Sequence, residues 1–336
     1  MRSDYSLSVD TDQNPVGPVP ARDGVFHPEQ GSPVKAGFRC GYVAIIGLPN
    51  VGKSTLLNTI LGQKISIVTP KPQTTRHKLL GIYSTDSCQI IFLDTPGILE
   101  PKYLLHERMM ENAALAMAEA DLVLIMIDAN DRAQQSWLLQ EPVVRRISRL
   151  KSPAFLLMNK VDRVQKLQLL PMIEFYAGKE LFKEIFPVSA LKRDGIDALL
   201  KAIVPLLPEH PPLYPLDIVS DHNERFLVSE IIREKIFLQC KEEIPYSTAV
   251  DIVEFKERET GKTFISAEVY VERPSQRGIL IGKKGVMLKR IGGSARLDIE
   301  KFLERPVFLE LQVKVREEWR QKGNWLDRLG YGGDRR

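Results

Sequence analysis

Residues 47–54 read Gly-Leu-Pro-Asn-Val-Gly-Lys-Ser, and their reading decides the fold of this 336-residue chain. The pattern is G-x-x-x-x-G-K-[ST], a glycine turn whose backbone N–H groups converge on one anionic spot. Its flanks agree with that reading. Tyr42 to Ile46 has the pattern of a buried strand, and Ser54 to Leu61 sets Leu56, Leu57, Ile60 and Leu61 on one helical face. A strand, turn and helix in this order add the positive end of the helix dipole to the N–H cluster. Gly47, Leu48, Pro49, Asn50, Val51, Gly52 and Thr55 form the cradle. Lys53 is placed to reach the β- and γ-phosphates and the Ser54 hydroxyl to hold Mg²⁺. This is a nucleotide site.

Composition limits what surrounds it. The length suffices for two domains, each with its own core. A chain with 43% hydrophobic and 27% charged residues has an ordinary soluble composition, and its net charge of +4 is mild. Cys40, Cys88 and Cys240 are scattered, odd in number and without a C-x-x-C. They point to a reducing compartment rather than to a disulfide framework or a structural zinc site. The longest apolar run, Leu122 to Ile127, is too short to span a bilayer. Residues 1–40 carry Asn-Pro, Gly-Pro and His-Pro pairs and no periodicity, so a disordered tail is expected. It lacks the apolar core of a signal peptide, and its five acids argue against an organelle transit peptide. The expected location is cytoplasmic, with the inner face of the cell membrane as a peripheral alternative.

From residue 41 to residue 207 short apolar strands alternate with helical patterns, which implies a doubly wound α/β domain. Lys78 to Tyr83 and Cys88 to Leu93 read as a hairpin; Leu122 to Asp128, Ala154 to Asn159 and Glu184 to Val188 read as parallel strands. Leu104 to Glu119 and Trp137 to Leu150 read as helices. Ligands of such a fold belong at the carboxyl ends of the strands.

The remaining motifs fall at those ends. Asp94-Thr95-Pro96-Gly97 closes one strand, 41 residues after Lys53. On its own it is as easily a plain turn. In that place Asp94 suits Mg²⁺ binding through water, and the Gly97 N–H suits a γ-phosphate. Asn159-Lys160-Val161-Asp162 closes another strand. The Asp162 carboxylate can accept from N1–H and the exocyclic amine of guanine, whereas adenine presents an acceptor at N1, so mispairing leaves buried groups unsatisfied. The Lys160 stem can cover the base and Asn159 can brace the loop. Ser189-Ala190-Leu191, after the fifth parallel strand, is placed to give an N–H to the base oxygen. Ser66 to His77 is a proline-containing polar loop, in the position that a nucleotide switch orders around the γ-phosphate. Thr75, with Thr74 as the second choice, is the candidate Mg²⁺ ligand; a solvated Thr-Thr turn is the competing reading. Lys53, Thr75 and Gly97 are thus the groups expected to act on the phosphate.

Gly-Leu-Pro-Asn-Val-Gly-Lys-Ser-Thr-Leu-Leu-Asn, Pro-Gln-Thr-Thr-Arg-His, Asp-Thr-Pro-Gly and Asn-Lys-Val-Asp together resemble the Era GTPases of bacteria and organelles, from near Gly41 to the C-terminus. The resemblance implies GTP binding and hydrolysis, with GDP as product, coupled to assembly of the small ribosomal subunit. One residue departs from the Ras-like pattern. Ile98 follows Asp-Thr-Pro-Gly where Ras-like proteins place a water-orienting glutamine, and it has no hydrogen-bonding side chain. Hydrolysis then depends on the phosphate cradle, Mg²⁺ and another water-orienting group or a partner. Relatives with Asn at the place of Asn50 can use a monovalent cation, usually K⁺, beside the β- and γ-phosphates.

Pro205 to Pro215 reads as a stiff connector, bounding a linker at 208–216 and a second domain at 217–336. That domain shows a helix (Phe226 to Cys240), two strands (Ala249 to Phe255, Phe264 to Val271) with a Glu-Thr-Gly-Lys turn, a helix (Val286 to Leu303) and a strand (Val307 to Val315). Its charge is uneven. Asp217 to Glu272 holds seven basic and 13 acidic residues, whereas Arg273 to Arg336 holds 16 basic and eight acidic. From Arg273 to Leu297 there are seven basic residues and no acid, around Gly282-Lys283-Lys284-Gly285. Such a patch is often only a solvated face. In a G-x-x-G loop between helices, however, the glycines admit a phosphate backbone and the lysines supply charge. Arg277, Ile281, Lys289 and Arg290 flank the loop, and Ile279, Leu280 and Ile281 suit either an apolar floor under bases or core packing.

In the order α-β-β-α-loop-α-β, this region resembles a type II KH domain, the smaller α+β RNA-binding module of Era. The ligand implied is single-stranded RNA near the 3′ end of small-subunit ribosomal RNA, on the small ribosomal subunit, bound by a monomer. A GTP-dependent scaffold on a protein or acidic membrane surface is the alternative. A P-loop kinase would leave Asn159 to Asp162 unexplained.

Overall fold

Apolar runs without polar alternation can be buried only where both faces of a sheet are covered, and the chain places them there. The computed structural model describes residues 37–257 and 261–332. The tail to residue 36, Glu259 and Thr260 of the expected hairpin turn, and residues 333–336 lie outside the described residues. In chain order come β1 (Arg39–Gly47), α1 (Lys53–Leu61), β2 (Leu79–Ser84), β3 (Cys88–Asp94), α2 (Leu104–Glu119) and β4 (Leu122–Asp128). Next are α3 (Arg132–Leu138), α4 (Glu141–Ser148), β5 (Ala154–Asn159), α5 (Lys166–Ala177), β6 (Glu184–Pro187) and α6 (Ile196–Ile203).

The strands form one sheet of order β2-β3-β1-β4-β5-β6, in which only β2 runs antiparallel. Side chains alternate across it. Val43 and Ile45 join Leu56, Leu57 and Ile60 of α1 and Leu199 and Ile203 of α6 in one core. Tyr42, Ala44 and Ile46 join Ala116 of α2, Leu138 of α3 and Tyr176 of α5 in the other. This is the doubly wound architecture.

Three boundaries differ from expectation. First, β1 starts at Arg39, inside the stretch expected as tail, because Arg39 and Cys40 already pair with Cys88 and Gln89. Second, Trp137 to Leu150 is two helices. Pro142, in the first turn of α4, has no N–H to carry a helix through from α3. Third, the proline-rich connector, expected to be stiff, is also docked. The Cys40 N–H donates to the Pro208 carbonyl (3.1 Å), and buried Gln89 accepts from the Leu213 and Tyr214 N–H groups (2.8 and 3.0 Å). Gln89 is fully buried and needs partners, so the connector is held along the first domain.

The second unit runs α7 (Glu224–Gln239), α8 (Ile244–Ser247), β7 (Ala249–Lys256), β8 (Thr263–Val271), α9 (Pro274–Ile281), α10 (Val286–Leu303), β9 (Val307–Val315) and α11 (Gly323–Arg328). Its sheet has the order β7-β8-β9, antiparallel then parallel. Val228, Ile232 and Ile236 of α7 pack with Ile291, Ala295 and Ile299 of α10 over one face. A further cluster crosses the boundary between the units: Leu105 and Met109 of α2 bury Tyr270, Trp319, Leu326 and Tyr331. Among the described residues, no helix is long and apolar enough to cross a membrane.

Candidate nucleotide site and nucleic-acid interface

Parallel strands deliver their carboxyl ends to one edge, and the nucleotide motifs meet there. The 47–54 turn follows β1, Asp94 ends β3, Asn159 ends β5 and Ser189 follows β6. Gly52 has φ +105°, and a Cβ on it would stand 2.4 Å from Asn159 Nδ2, so only glycine fits. The Asn159 carboxamide donates to the Val51 carbonyl at 2.7 Å and accepts from the Ala190 N–H at 2.9 Å. It thereby ties the phosphate turn to Ser189–Leu191. The Ser189 hydroxyl donates to Asp162 Oδ1 at 2.6 Å and fixes that carboxylate. Lys160 crosses the site, donating to the Asn50 carbonyl at 2.8 Å and pairing with Asp128 at 2.7 Å. Asp128 was not singled out from the sequence. Its signal was its place at the end of β4, equivalent to Asp94 and Asn159.

The metal corner is built from oxygen. Ser54 Oγ lies 2.8 Å from Thr75 Oγ1 and donates to Asp94 Oδ2 at 2.9 Å, which also accepts from Ser66 Oγ at 3.1 Å. Asp94 Oδ1 is buried without a partner among the described residues. Thr74 takes no part, since its hydroxyl bonds to Thr69 Oγ1 and the Lys71 carbonyl. Burial raises the Asp94 carboxyl above the usual carboxylate range, against the opposing pull of Lys53, Ser54 and Ser66. Burial likewise brings the Lys53 ammonium down to about 8, although Asp94 opposes it. An orphaned carboxylate oxygen beside two hydroxyls is a donor set for a hard dication, and a desolvated ammonium suits a phosphate. The residues fit Mg²⁺ with a nucleotide.

The other motif residues divide by role. Ile98 donates its N–H to the Gly47 carbonyl (3.0 Å), while its side chain lies with Ile46, Met117 and Trp137 around a small apolar cavity. It is half-buried against the second core, and with no polar side-chain atom it cannot orient water. The Thr95 hydroxyl donates to the Ile45 carbonyl and braces the strand end. Leu48, Val51 and Val161 pack into the cores, which leaves their backbone for the site; Leu191 is exposed.

In the second unit Gly282 (φ +72°) ends α9, and a Cβ there would meet Met287 Cβ at 2.8 Å, so the turn into α10 requires glycine. Lys283, Lys284, Arg277, Lys289 and Arg290 are exposed, and none pairs with a carboxylate among the described residues. The apolar triplet divides: Leu280 is core, Ile281 half-buried and Ile279 exposed. An exposed, unpaired cation row around a glycine turn attracts a phosphate backbone.

The loop from Ser66 to His77 holds what sequence reasoning missed. It is docked on the second unit. The Arg76 guanidinium is buried and donates to the Thr248, Pro245 and Tyr246 carbonyls at 2.8, 3.0 and 2.9 Å. Lys71 donates to the Phe237 and Cys240 carbonyls at the end of α7, where the helix dipole favours a cation. From α7, Glu234 accepts the Val68 N–H at 3.1 Å and Arg233 donates to the Thr74 carbonyl at 2.5 Å. His77 stacks on Tyr331 at 4.2 Å. The signal lay in charge: a loop with Lys71, Arg76 and His77 meets the acid-rich stretch from Asp217 to Glu272.

Comparison with known proteins agrees with this geometry. Residues 42–160 match the family described as "50S ribosome-binding GTPase", and residues 243–320 match the KH domain family. The chain is 45% identical over 294 residues to GTPase Era of Ruminiclostridium cellulolyticum, covering 88% of this chain and 98% of that protein. It is 47% identical over 295 residues to GTPase Era of Geobacter metallireducens, with the same coverage. A chloroplastic GTPase ERA-like protein of Arabidopsis thaliana is 45% identical over 331 residues, 98% of this chain and 76% of that one. Among solved structures, Era in complex with MgGDPNP and nucleotides 1506–1542 of 16S ribosomal RNA superposes with a TM-score of 0.83 at 43% identity, covering 88% of this chain and all of that one. An Aquifex aeolicus Era variant bound to GDP·AlF4⁻ gives 0.82 at 42%, with the same coverage.

Proposed function

The chain belongs to the Era family of GTPases, and from that premise we propose a switch in which the bound guanine nucleotide governs how the KH domain engages RNA. The protein is a GTP-hydrolysing enzyme that binds small-subunit ribosomal RNA near its 3′ end and assists assembly of the small subunit. One observation carries the coupling. Residues 66–77 put Thr75 beside Ser54 in the nucleotide site and Arg76 into the carbonyls of the KH domain, with no residue between them.

In hydrolysis, water attacks the γ-phosphate and GDP leaves. The N–H groups of Asn50 to Ser54 and the Lys53 ammonium would hold the β- and γ-phosphates, and the Gly97 N–H would serve the transferred group. Ser54, Thr75 and Asp94 would hold Mg²⁺, which would supply positive charge to offset that developing on the phosphates. Asp162, fixed by Ser189, selects guanine. Since the Ile98 side chain has no hydrogen-bonding group and packs against the second core, no side chain at that position orders the water, and slow intrinsic turnover follows. We further propose that K⁺ binds beside Asn50, and that the protein works as a cytoplasmic monomer. The α9–α10 cation row would also attract acidic lipid, and liposome sedimentation with RNA as competitor separates membrane-face binding from RNA binding.

The test of the switch is RNA affinity in the two nucleotide states. A 3′-terminal small-subunit rRNA fragment should bind with different affinity to the GDP and GDPNP forms, and should change the rate of GTP hydrolysis. Equal affinities and an unchanged rate would overturn the reading. Crosslinking in cells, followed by sequencing of the bound RNA, identifies the ligand.

A further inference from the structure

Of the three expected Mg²⁺ ligands, Ser54 starts a helix and Asp94 ends a strand, whereas Thr75 is carried by a loop, so something must fix its place. The Thr74 carbonyl and the Thr75 nitrogen share one planar peptide, and holding that oxygen removes most of the freedom of Thr75. The oxygen is held by Arg233 Nη2 at 2.5 Å. Arg233 is itself immobile: it is buried on α7, its Nε donates to Glu230 Oε1 at 2.7 Å, its Nη2 also reaches Glu230 Oε2, and its guanidinium lies over the Phe237 ring at 5.2 Å. A buried ion pair of this kind adds little net stability, because desolvation offsets its attraction. What it supplies is direction. The fork fixed on Glu230 aims one N–H at Thr74.

The neighbouring contacts fix the same stretch of backbone. Glu234, one residue on, accepts the Val68 N–H, and Arg76 anchors the residue after Thr75 in the α8 carbonyls. Thr75 is thus clamped on both sides by the RNA-binding domain.

We propose that Arg233 of the KH domain is a positioning residue for GTP hydrolysis, acting through the Thr74–Thr75 peptide to hold the Thr75 hydroxyl beside Ser54 and Asp94. This rests on the reading of Thr75 as a ligand of the nucleotide-bound Mg²⁺. It makes the RNA-binding domain part of the GTPase machinery, so that movement of α7 is felt at the phosphate.

The test uses the full chain. Because a lone buried Glu230 charge would destabilise the fold, the pair is replaced together, Glu230→Gln with Arg233→Met. Arg233→Lys is the second variant: it keeps a cation opposite Glu230 but has no planar fork to hold Thr74 as well. Three quantities are measured: GDP affinity, the Mg²⁺ dependence of GDPNP binding, and kcat. GDP affinity should stay within about twofold, half-saturation of GDPNP binding should need more Mg²⁺, and kcat should fall about 10- to 100-fold, as for a misplaced catalytic group. In a Thr75→Ala background the same replacements should add nothing. If Thr75→Ala impairs Mg²⁺-dependent GDPNP binding while both Arg233 variants behave as wild type, the positioning role is overturned and the ligand reading stands. Losses that add to those of Thr75→Ala, or that extend equally to GDP, also overturn it. If Thr75→Ala itself changes nothing, the ligand reading fails, and the positioning role with it.

Discussion

The Arg76 guanidinium, carried by the loop of the nucleotide site, donates to the Thr248 carbonyl of the KH domain at 2.8 Å, inside a fully buried seam. It also satisfies the Pro245 and Tyr246 carbonyls. Arg76→Met should therefore strand two buried acceptors and one half-buried one and cost about 2–4 kcal/mol, since each lost bond to a charged donor costs more than a neutral one. Urea unfolding measures the loss, and limited proteolysis should show the 66–77 loop cut faster. Unchanged stability would mean that the seam opens readily in solution.

His77 stacks on Tyr331 in the same seam, and burial brings its imidazole down to about 4. The unfolded chain takes up this proton near pH 6.5, whereas the folded one does so only near 4. The contribution is present above 6.5 and is lost as the pH falls toward 4. Between pH 7 and pH 5 this one group should remove about 2 kcal/mol of stability. His77→Phe keeps the stacking and should flatten the pH profile by that amount, as read by denaturation at both pH values.

Asp162 accepts from Ser189 Oγ, and in the proposed site its carboxylate would face the guanine base. Asp162→Asn sets an amide donor against the guanine amine, and GDP affinity should fall about 100-fold. A xanthine nucleotide, with oxygen in place of that amine, should recover part of the loss. Calorimetric titration with GDP and XDP decides.

Lys283 and Lys284 stand exposed on the turn between α9 and α10. Replacing both by Asp should weaken binding of single-stranded RNA and lower the slope of log K against log salt by at least about 1.4, at about 0.7 per phosphate. GTP affinity should not change. An unaltered salt slope would remove this turn from the interface.

Asn50 has a left-handed backbone, and its Nδ2 donates to the Pro70 carbonyl at 3.1 Å, which turns its carboxamide oxygen to the other side. If that oxygen ligates a monovalent cation, GTP turnover should rise when Na⁺ is exchanged for K⁺, and Asn50→Ala should abolish the difference. Equal rates in the two salts would remove K⁺ from the mechanism.

Local patterns determined most of the first domain. Leu122–Asp128 and Ala154–Asn159 were legible because a continuous apolar run has only one place to go, and the 47–54 turn because its spacing encodes a backbone shape. Asp94 and Asn159 were legible for the same reason: each closes a strand, strand ends define the ligand edge, and Asp162 follows Asn159 in the turn after β5. Tertiary structure alone decided the rest. Asp128 entered the site only by the approach of Lys160, and Pro205 to Pro215 read as a spacer because nothing in its own residues announces that buried Gln89 needs its N–H groups. The seam of Arg76, His77, Arg233, Trp319 and Tyr331 joins residues far apart in the chain; His77 and the Tyr331 it stacks on are 254 positions apart. A sequence states what each backbone segment prefers. Which buried cation meets which distant carbonyl depends on how two finished domains pack, and that is where Thr75 is held in place.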